Sequence, residues 1–416
     1  MSLRILFLAE SVTLAHVVRL RMLAEVAHRL GHEVLFASGE AYNHFFSPPP
    51  WKELRLPTRT PEEFHQALQK GECLFPFPLL CSQTENELTL FKETQPDLII
   101  SDLRPSASVS TRLKEIPLWI LTNASWSPYL VDSSFPLPCM APLSKLGPRG
   151  EKRAARIAFV KKLYQYALPL ILRKQKSGLV SLRKKYGLPP LSDYRSLLSD
   201  GDKVLYADIP SLFHLHPLPS HHSFLGHIPW SPSTTLPPWS NSVGIADPCI
   251  FVSLGSSGSD VPLPLILEGL KDFSGEIVVA SSQTQFHDPD KGVYVAPALP
   301  GDYFSKKSEV SITNGGSPST YQALSEGTPV IGIASNMDQM LNMQHVHRSK
   351  AGILLRADTF TPVDLKLAID EIHHSSTIQK QTQSVCSLLQ ETSFQNIFTH
   401  LLSSLNEHPS KQKVAP

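Results

Sequence analysis

The stretch Thr313-Asn314-Gly315-Gly316-Ser317-Pro318-Ser319-Thr320 constrains the fold of this 416-residue chain more than any other. An apolar run at 310–312 leads into it, and a helical stretch at 321–326 leaves it. A strand that passes through paired glycines onto a helix start is the turn of a β–α unit. Glycine has no Cβ, so the backbone can approach a ligand closely. The helix start offers N–H groups and a partial positive charge to an anion. Beyond the next apolar run stand Asp338 and Gln339, whose carboxylate and amide can hold hydroxyl groups. A phosphate cradle followed by a hydroxyl reader suits a nucleotide-sugar.

The same alternation runs along the whole chain. Residues 5–9 read as a strand, and 16–30 carry helical apolar spacing through Val17, Leu20, Leu23, Ala24 and Ala27. Gly31 caps that helix, and 33–37, 98–101 and 118–121 read as further strands. A stretch rich in proline, serine and tryptophan at 229–248 shows little periodicity and reads as a linker. The pattern then restarts, with strands expected at 250–254, 276–280, 293–295, 309–312, 330–333 and 353–355. Residues 380–405 read as one terminal helix, and 409–416 as a disordered tail. Strands alternating with helices predict βαβ units and parallel sheets. The division expected is an N-terminal domain over 1–228 and a C-terminal domain over 229–408. Ligands bind open parallel sheets at the carboxyl ends of the strands.

Bulk properties exclude several function classes. The length suits two domains. A net charge of +1 gives no whole-molecule field for nucleic acid. Five scattered cysteines, with no Cys-x-x-Cys pair, fit a reducing compartment, and a cytoplasmic location is expected. The apolar run near Met1 ends at Glu10, which suits a buried first strand better than a signal peptide. No run reaches the length of a bilayer span. Residues 9–16 hold no glycine, so the dinucleotide fingerprint is absent at the first turn. His214, His216, His221, His222 and His227 lack regular spacing and Cys partners, so no metal site is expected.

The C-terminal motifs resemble the donor signature of GT-B fold glycosyltransferases, in the group of macrolide and UDP-glucuronosyl transferases. That signature reads His-x-Gly-x-x-Ser/Thr-x-x-Glu-Ala, then Gly-x-Pro, then Asp-Gln. Here Asn314, Gly316, Ser319, Gln322-Ala323, Gly327, Pro329 and Asp338-Gln339 stand in those places. Asn314 replaces the usual histidine, and Gln322 the usual glutamate. The resemblance implies two Rossmann-like, doubly wound domains facing across a cleft, with the terminal helix crossing back onto the first. It implies inverting transfer of a sugar from a UDP- or dTDP-sugar to an acceptor hydroxyl, with no metal and no cofactor beyond that co-substrate.

The resemblance also assigns residues. His16, just after the first strand, matches the family's general base, and Asp102, ending the strand at 98–101, matches its partner. A carboxylate fixes the imidazole tautomer and stabilises the imidazolium that forms; a turn or cap role before Pro105 is the plain alternative for Asp102. Donor binding falls to Gly255, Ser256, Asn314, Gly315, Gly316, Ser317, Ser319, Gln322, Asp338 and Gln339. With asparagine at 314, the leaving diphosphate must be met by backbone N–H groups, the helix dipole or an arginine such as Arg19. The base-binding region falls at 296–301. The acceptor is expected to be a small hydrophobic molecule or a lipid, met by loops such as 48–50 and 133–148. The strongly basic segment 145–185, interleaved with apolar residues, reads as a helix pair with a solvated face or as a contact for anionic lipid at the inner membrane face. A sugar-nucleotide binder without transfer activity and a GT-B epimerase are the other functions such a chain can have.

Overall fold

The computed structural model describes residues 2–132, 134–139, 143, 146–245, 247–255 and 263–407. The chain forms two compact units. One comprises Met1–Ser133, Tyr166–Ile228 and Thr392–Pro416, the other Ser134–Gln165 and Pro229–Glu391. The division is therefore not continuous in sequence: residues 134–165 fold with the second unit and those from 392 with the first.

The first unit carries seven strands: β1 (Arg4–Ala9), β2 (Glu33–Ser38), β3 (Lys52–Arg55), β4 (Leu98–Asp102), β5 (Leu118–Thr122), β6 (Lys203–Tyr206) and β7 (His222–Phe224). They form one parallel sheet in the order β3-β2-β1-β4-β5-β6-β7. Helices α1 (Leu14–Arg29), α2 (Pro61–Lys70), α3 (Phe77–Thr94) and α4 (Ala107–Lys114) belong to this unit; α5 (Glu151–Lys185) starts in the segment grouped with the second unit and runs on from Tyr166 in the first. Ile5, Phe7 and Ala9 of β1 enter one core with α1, while Leu6 and Leu8 enter the other with Phe91 and Ala107. A strand covered on both faces has no polar face to show, which is why β1 reads as an unbroken apolar run.

The second unit carries β8 (Cys249–Ser253), β9 (Glu276–Ala280), β10 (Val293–Ala296), β11 (Val310–Thr313), β12 (Val330–Ala334) and β13 (Gly352–Arg356). All pair in parallel, in the order β10-β9-β8-β11-β12-β13. Its helices are α6 (Leu263–Gly269), α7 (Gly301–Lys306), α8 (Ser317–Ser325), α9 (Met337–Arg348), α10 (Pro362–His374) and α11 (Ser376–Glu391). The last helix, α12 (Phe394–Glu407), packs with α1 in the first unit. The expected tail at 409–416 lies outside the described residues.

Three expectations are corrected. The terminal stretch at 380–405 is two helices, because the Ser393 hydroxyl accepts from the Asn396 N–H at 3.2 Å and starts a new one. The basic segment is one helix, α5, with Pro169 inside it. It packs through buried Ile157, Tyr164, Leu179 and Leu182. Within the expected linker at 229–248 some described residues pack: Trp239 lies against Tyr294 and Phe304, and Val243 is buried.

Of the clustered histidines, His222 and His227 are buried, while His214, His216 and His221 are exposed. The His222 ring lies 2.7 Å from the Tyr206 hydroxyl, and burial pushes its pKa down to about 4. Burial does the same to His227, also to about 4. Among the described residues no three His, Cys, Asp or Glu side chains gather as metal ligands would. Between pH 6.5 and 4 the unfolded chain gains a proton at position 227 that the folded chain refuses. Stability must therefore fall as pH falls through that window, by up to about 3 kcal/mol. His227→Gln is expected to lose less stability than the parent between pH 7 and pH 5, read by urea unfolding at both pH values. An identical loss would contradict it.

Candidate functional site

The seven-stranded sheet reverses its strand order beside β1: the chain moves outward to β2 and β3, then returns to β4 on the other side. Open parallel sheets bind ligands at the carboxyl ends of strands where the order reverses, here those of β1 and β4. Ala9 pairs with Asp102 at that end. His16 sits in the first turn of α1, and its Nδ1 lies 2.9 Å from Asp102 Oδ1. Facing a carboxylate, Nδ1 carries the proton and donates, and Nε2 keeps its lone pair. The His16 side chain is 18% exposed and that of Asp102 only 2%. The imidazole is held by the carboxylate, and Asp102 turns its oxygens to His16 and Arg19 instead of capping a helix.

Arg19 stands three residues after His16, on the same helix face. Its Nε and Nη2 donate to Asp102 Oδ2 at 3.0 and 2.7 Å. Its Nη1 donates to Asn123 Oδ1 at 2.7 Å, and Asn123 Nδ2 donates to the Asp208 carboxylate at 3.2 and 3.3 Å. The Ala124 N–H also donates to Asp208, at 2.5 Å. Arg19, one of the three groups offered for a leaving diphosphate, has its buried guanidinium taken up by Asp102 and Asn123. Asn123 and Asp208 escaped the sequence reading. Their only signal is position, directly after β5 and shortly after the short strand β6.

A second buried network lies at the other side of β1. Arg104 bridges Glu10 and Glu87 at 2.7 Å each, and Ser106 and Ser110 donate to Glu87 at 2.5 and 2.6 Å. Burial raises the Glu10 pKa, opposed by the Arg104 charge. This network ties α3 and the 104–110 segment to the end of β1.

In the six-stranded sheet the order reverses beside β8, between β8 and β11. Ser253 pairs with Thr313 there, so the turns after both strands meet. Gly255 has φ +62°, and a Cβ on it would lie 3.2 Å from Asn314 Nδ2. Asn314 is buried, and its Oδ1 accepts from the Gly316 N–H at 3.0 Å. The Gly315 N–H donates to Thr313 Oγ1 at 3.0 Å. These side chains hold the turn and take up the two glycine amides expected to face an anion. Asn342 of α9 donates to the Gly315 carbonyl at 2.9 Å, a support the sequence reading missed. Ser317 and Ser319 occupy the first turn of α8, with the Ser319 hydroxyl donating to the Gly316 carbonyl at 3.2 Å. Ser256 lies outside the described residues.

The other donor candidates divide. Gln322 Nε2 donates to the Trp230 carbonyl and to Ser231 Oγ, joining α8 to the start of the 229–248 segment. Its amide also adjoins Gly301, beside the expected base region at 296–301. Gln339 is buried, and its Oε1 accepts from the Ser335 N–H and hydroxyl at 2.9 and 3.0 Å. With Asn336 it forms the capping box of α9. Asp338 is half-buried in the first turn of that helix, where its charge suits the positive helix end.

Residues 264–396 match the family model described as the erythromycin biosynthesis protein CIII-like C-terminal domain. A PGL/p-HBAD biosynthesis rhamnosyltransferase of Mycobacterium bovis (strain BCG / Pasteur 1173P2) is 38% identical over 357 residues, spanning 85% of this chain and 77% of the relative. An inactive PGL/p-HBAD biosynthesis glycosyltransferase from the same strain is 35% identical over 272 residues, spanning 65% of this chain and 72% of the relative. The spinosyn rhamnosyltransferase SpnG, solved in complex with thymidine diphosphate, superposes with a TM-score of 0.69 at 15% identity, over 97% of this chain and 100% of that one. The chain belongs to the GT-B glycosyltransferases, in the family that contains the PGL/p-HBAD biosynthesis rhamnosyltransferase.

Gly315 has φ +78°, and a Cβ on it would lie 2.7 Å from Met343 Cγ. Gly315→Ala is expected to destabilise the protein by about 1–3 kcal/mol. Gly316, at φ −67°, is expected to tolerate alanine better. Urea unfolding of the two variants checks the order; equal losses would contradict the strain at Gly315.

Proposed function

We propose that this glycosyltransferase inverts the anomeric centre as it moves a sugar, rhamnose first among the candidates, from a thymidine- or uridine-diphosphate donor to a hydroxyl of an apolar acceptor. The observation that carries this is the pairing of His16 Nδ1 with Asp102 at the strand-order reversal, which leaves Nε2 as a base. The acceptor O–H proton passes to His16 Nε2 as the oxygen attacks the anomeric carbon. The bond from that carbon to the diphosphate breaks, and its electron pair leaves on the phosphate oxygen. Asp102 holds the imidazole and balances the imidazolium. The helix start at Ser317–Ser319 is assigned to the diphosphate, with the Asn314–Gly316 turn and Gly255 supporting it, and Asp338 and Gln339 to the sugar hydroxyls. No step is assigned to a metal or a further cofactor. Rhamnose draws support from the name of the relative at 38% identity, and thymidine diphosphate from the ligand of the SpnG complex.

A second reading is a sugar-nucleotide binder without transfer activity. Asn314 and Gln322 favour it, together with the relative described as inactive. An asparagine amide offers the leaving group a neutral donor where an imidazolium would offer a charged one. His16→Ala separates the two. Transfer from dTDP-rhamnose or UDP-glucose to a panel of phenols and alcohols, read by mass spectrometry, is expected to fall by about 100-fold or more. Nucleotide affinity, read by calorimetry with dTDP and UDP, is expected to stay within about twofold of the parent. A parent that binds nucleotide and transfers nothing supports the binder, and sugar conversion without acceptor supports an epimerase. Binding of neither nucleotide overturns the donor site.

An apolar or lipid acceptor gains support from α5. Phe159, Leu163, Tyr166 and Leu170 are 63, 53, 87 and 70% exposed, and their spacing puts them on one stripe of the helix. Exposed Lys162 and Arg173 flank it on one side and Lys174 on the other. Aromatic and aliphatic side chains ringed by cations suit the interface of an anionic lipid surface. Among the described residues no helix is long and apolar enough to cross a membrane. The full chain is expected to co-sediment with phosphatidylglycerol vesicles at low salt and less with phosphatidylcholine. The quadruple serine variant at 159, 163, 166 and 170 is expected to lose that binding. Equal recovery of parent and variant removes the membrane contact.

A further inference from the structure

We propose that Arg19 is a positioning residue for the base, acting through Asp102 and itself held by Asn123 and Asp208. It rests on the proposed role of His16 and adds the device that keeps the imidazole aimed.

A carboxylate at a strand end has a broad χ2 well, so nothing in the aspartate alone decides which oxygen faces the imidazole. Arg19 decides it. Its Nε and Nη2 both donate to Oδ2, at 3.0 and 2.7 Å, which fixes the carboxylate plane and leaves Oδ1 for His16 at 2.9 Å. Arg19 Nη2 also lies 3.2 Å from His16 Nδ1. With the Nδ1 proton given to Asp102, that is a contact of two donors converging on one carboxylate. The guanidinium is locked in turn: Nη1 donates to Asn123 Oδ1 at 2.7 Å, and Asn123 donates to Asp208. Asp208 is fully buried, and Arg19 and Asp102 are 5 and 1% exposed, so water does not compete for these bonds. The chain of contacts runs from Asp208 after β6 through Asn123 after β5, Arg19 on α1 and Asp102 on β4 to His16. Four neighbouring strand connections thus set one imidazole. Lysine cannot replace this arrangement, because it lacks the planar fork that spans Asp102 and Asn123 together.

Two readouts test it on the full chain. The first is the tautomer of His16, read by long-range 15N–1H correlation on protein labelled at histidine, with His16→Gln assigning the signal. The parent is expected to show Nδ1–H alone, Arg19→Met a mixture of both tautomers, and Arg19→Lys and Asn123→Ala smaller admixtures. An unchanged tautomer in Arg19→Met overturns the proposal. The second is kinetic, using dTDP-rhamnose or UDP-glucose and the acceptor that the phenol and alcohol panel selects. Arg19→Met is expected to lower kcat by about 10- to 100-fold with the donor KM nearly unchanged. In the Asp102→Ala background the same substitution is expected to cost less than about twofold, since a residue acting through Asp102 has nothing left to act on. Losses that multiply, or that fall on KM alone, overturn it. Should Arg19→Met fail to fold, Arg19→Lys and Asn123→Ala carry both readouts, because each keeps the buried charge balance. A full rate in His16→Ala would remove the base and leave the tautomer result standing, so the two failures are distinguishable.

Discussion

The reversal of strand order in each parallel sheet governs where chemistry can happen in this chain. A right-handed crossover helix covers the sheet between the strands it joins. Where consecutive excursions leave in opposite directions, the carboxyl ends of two neighbouring strands stay uncovered. In the first unit those strands are β1 and β4, and the side chains that arrive there are His16 and Asp102. In the second they are β8 and β11, where Gly255 and the Asn314–Gly316 turn meet. Each candidate site follows from topology before any side chain is considered.

Buried charge then shapes the first of these ends. An ionised carboxylate removed from water is costly unless it is paired and hydrogen-bonded. Asp102 meets that demand through Arg19 and His16, and Glu10 and Glu87 meet it through Arg104. The two networks flank the end of β1, where the pairing partner Asp102 and the following residue Glu10 diverge into separate surroundings. Arginine suits both places, since its fork reaches two acceptors at once and stays charged at any working pH. The result is an imidazole with one nitrogen committed and the other available.

On the second sheet the turn after β11 depends on hydrogen bonds within itself. Thr313 and Asn314 accept from the amides of Gly315 and Gly316, and Asn342 donates to the Gly315 carbonyl from another helix. The asparagine that stands where the family usually has histidine therefore has a structural use: a short amide side chain bonds its own backbone two residues on, as in an Asx-turn. Gln339 likewise spends its carbonyl on the cap of α9, holding the segment that presents Asp338.

Much of this was legible in the chain itself. The apolar runs of β1, β4, β8, β11 and β12 and the glycine turn after Thr313 are local patterns, and they determined the fold class; His16 and Asp102, 86 positions apart, were marked by the resemblance to the family. The short strands β3, β6 and β7 have no such pattern, so Asp208 had no frame, and the role of Arg19 depended on bonds to residues more than eighty positions away. A gap of two polar residues was too faint to separate α11 from α12, and the basic segment runs as one helix straight through Pro169, where a proline would suggest a break. Local periodicity is written by neighbours in sequence, and it determined elements and candidate residues. Which oxygen of Asp102 faces the imidazole, and which amide is spent holding a turn, only the tertiary structure decided, because those bonds join groups that chain order keeps apart.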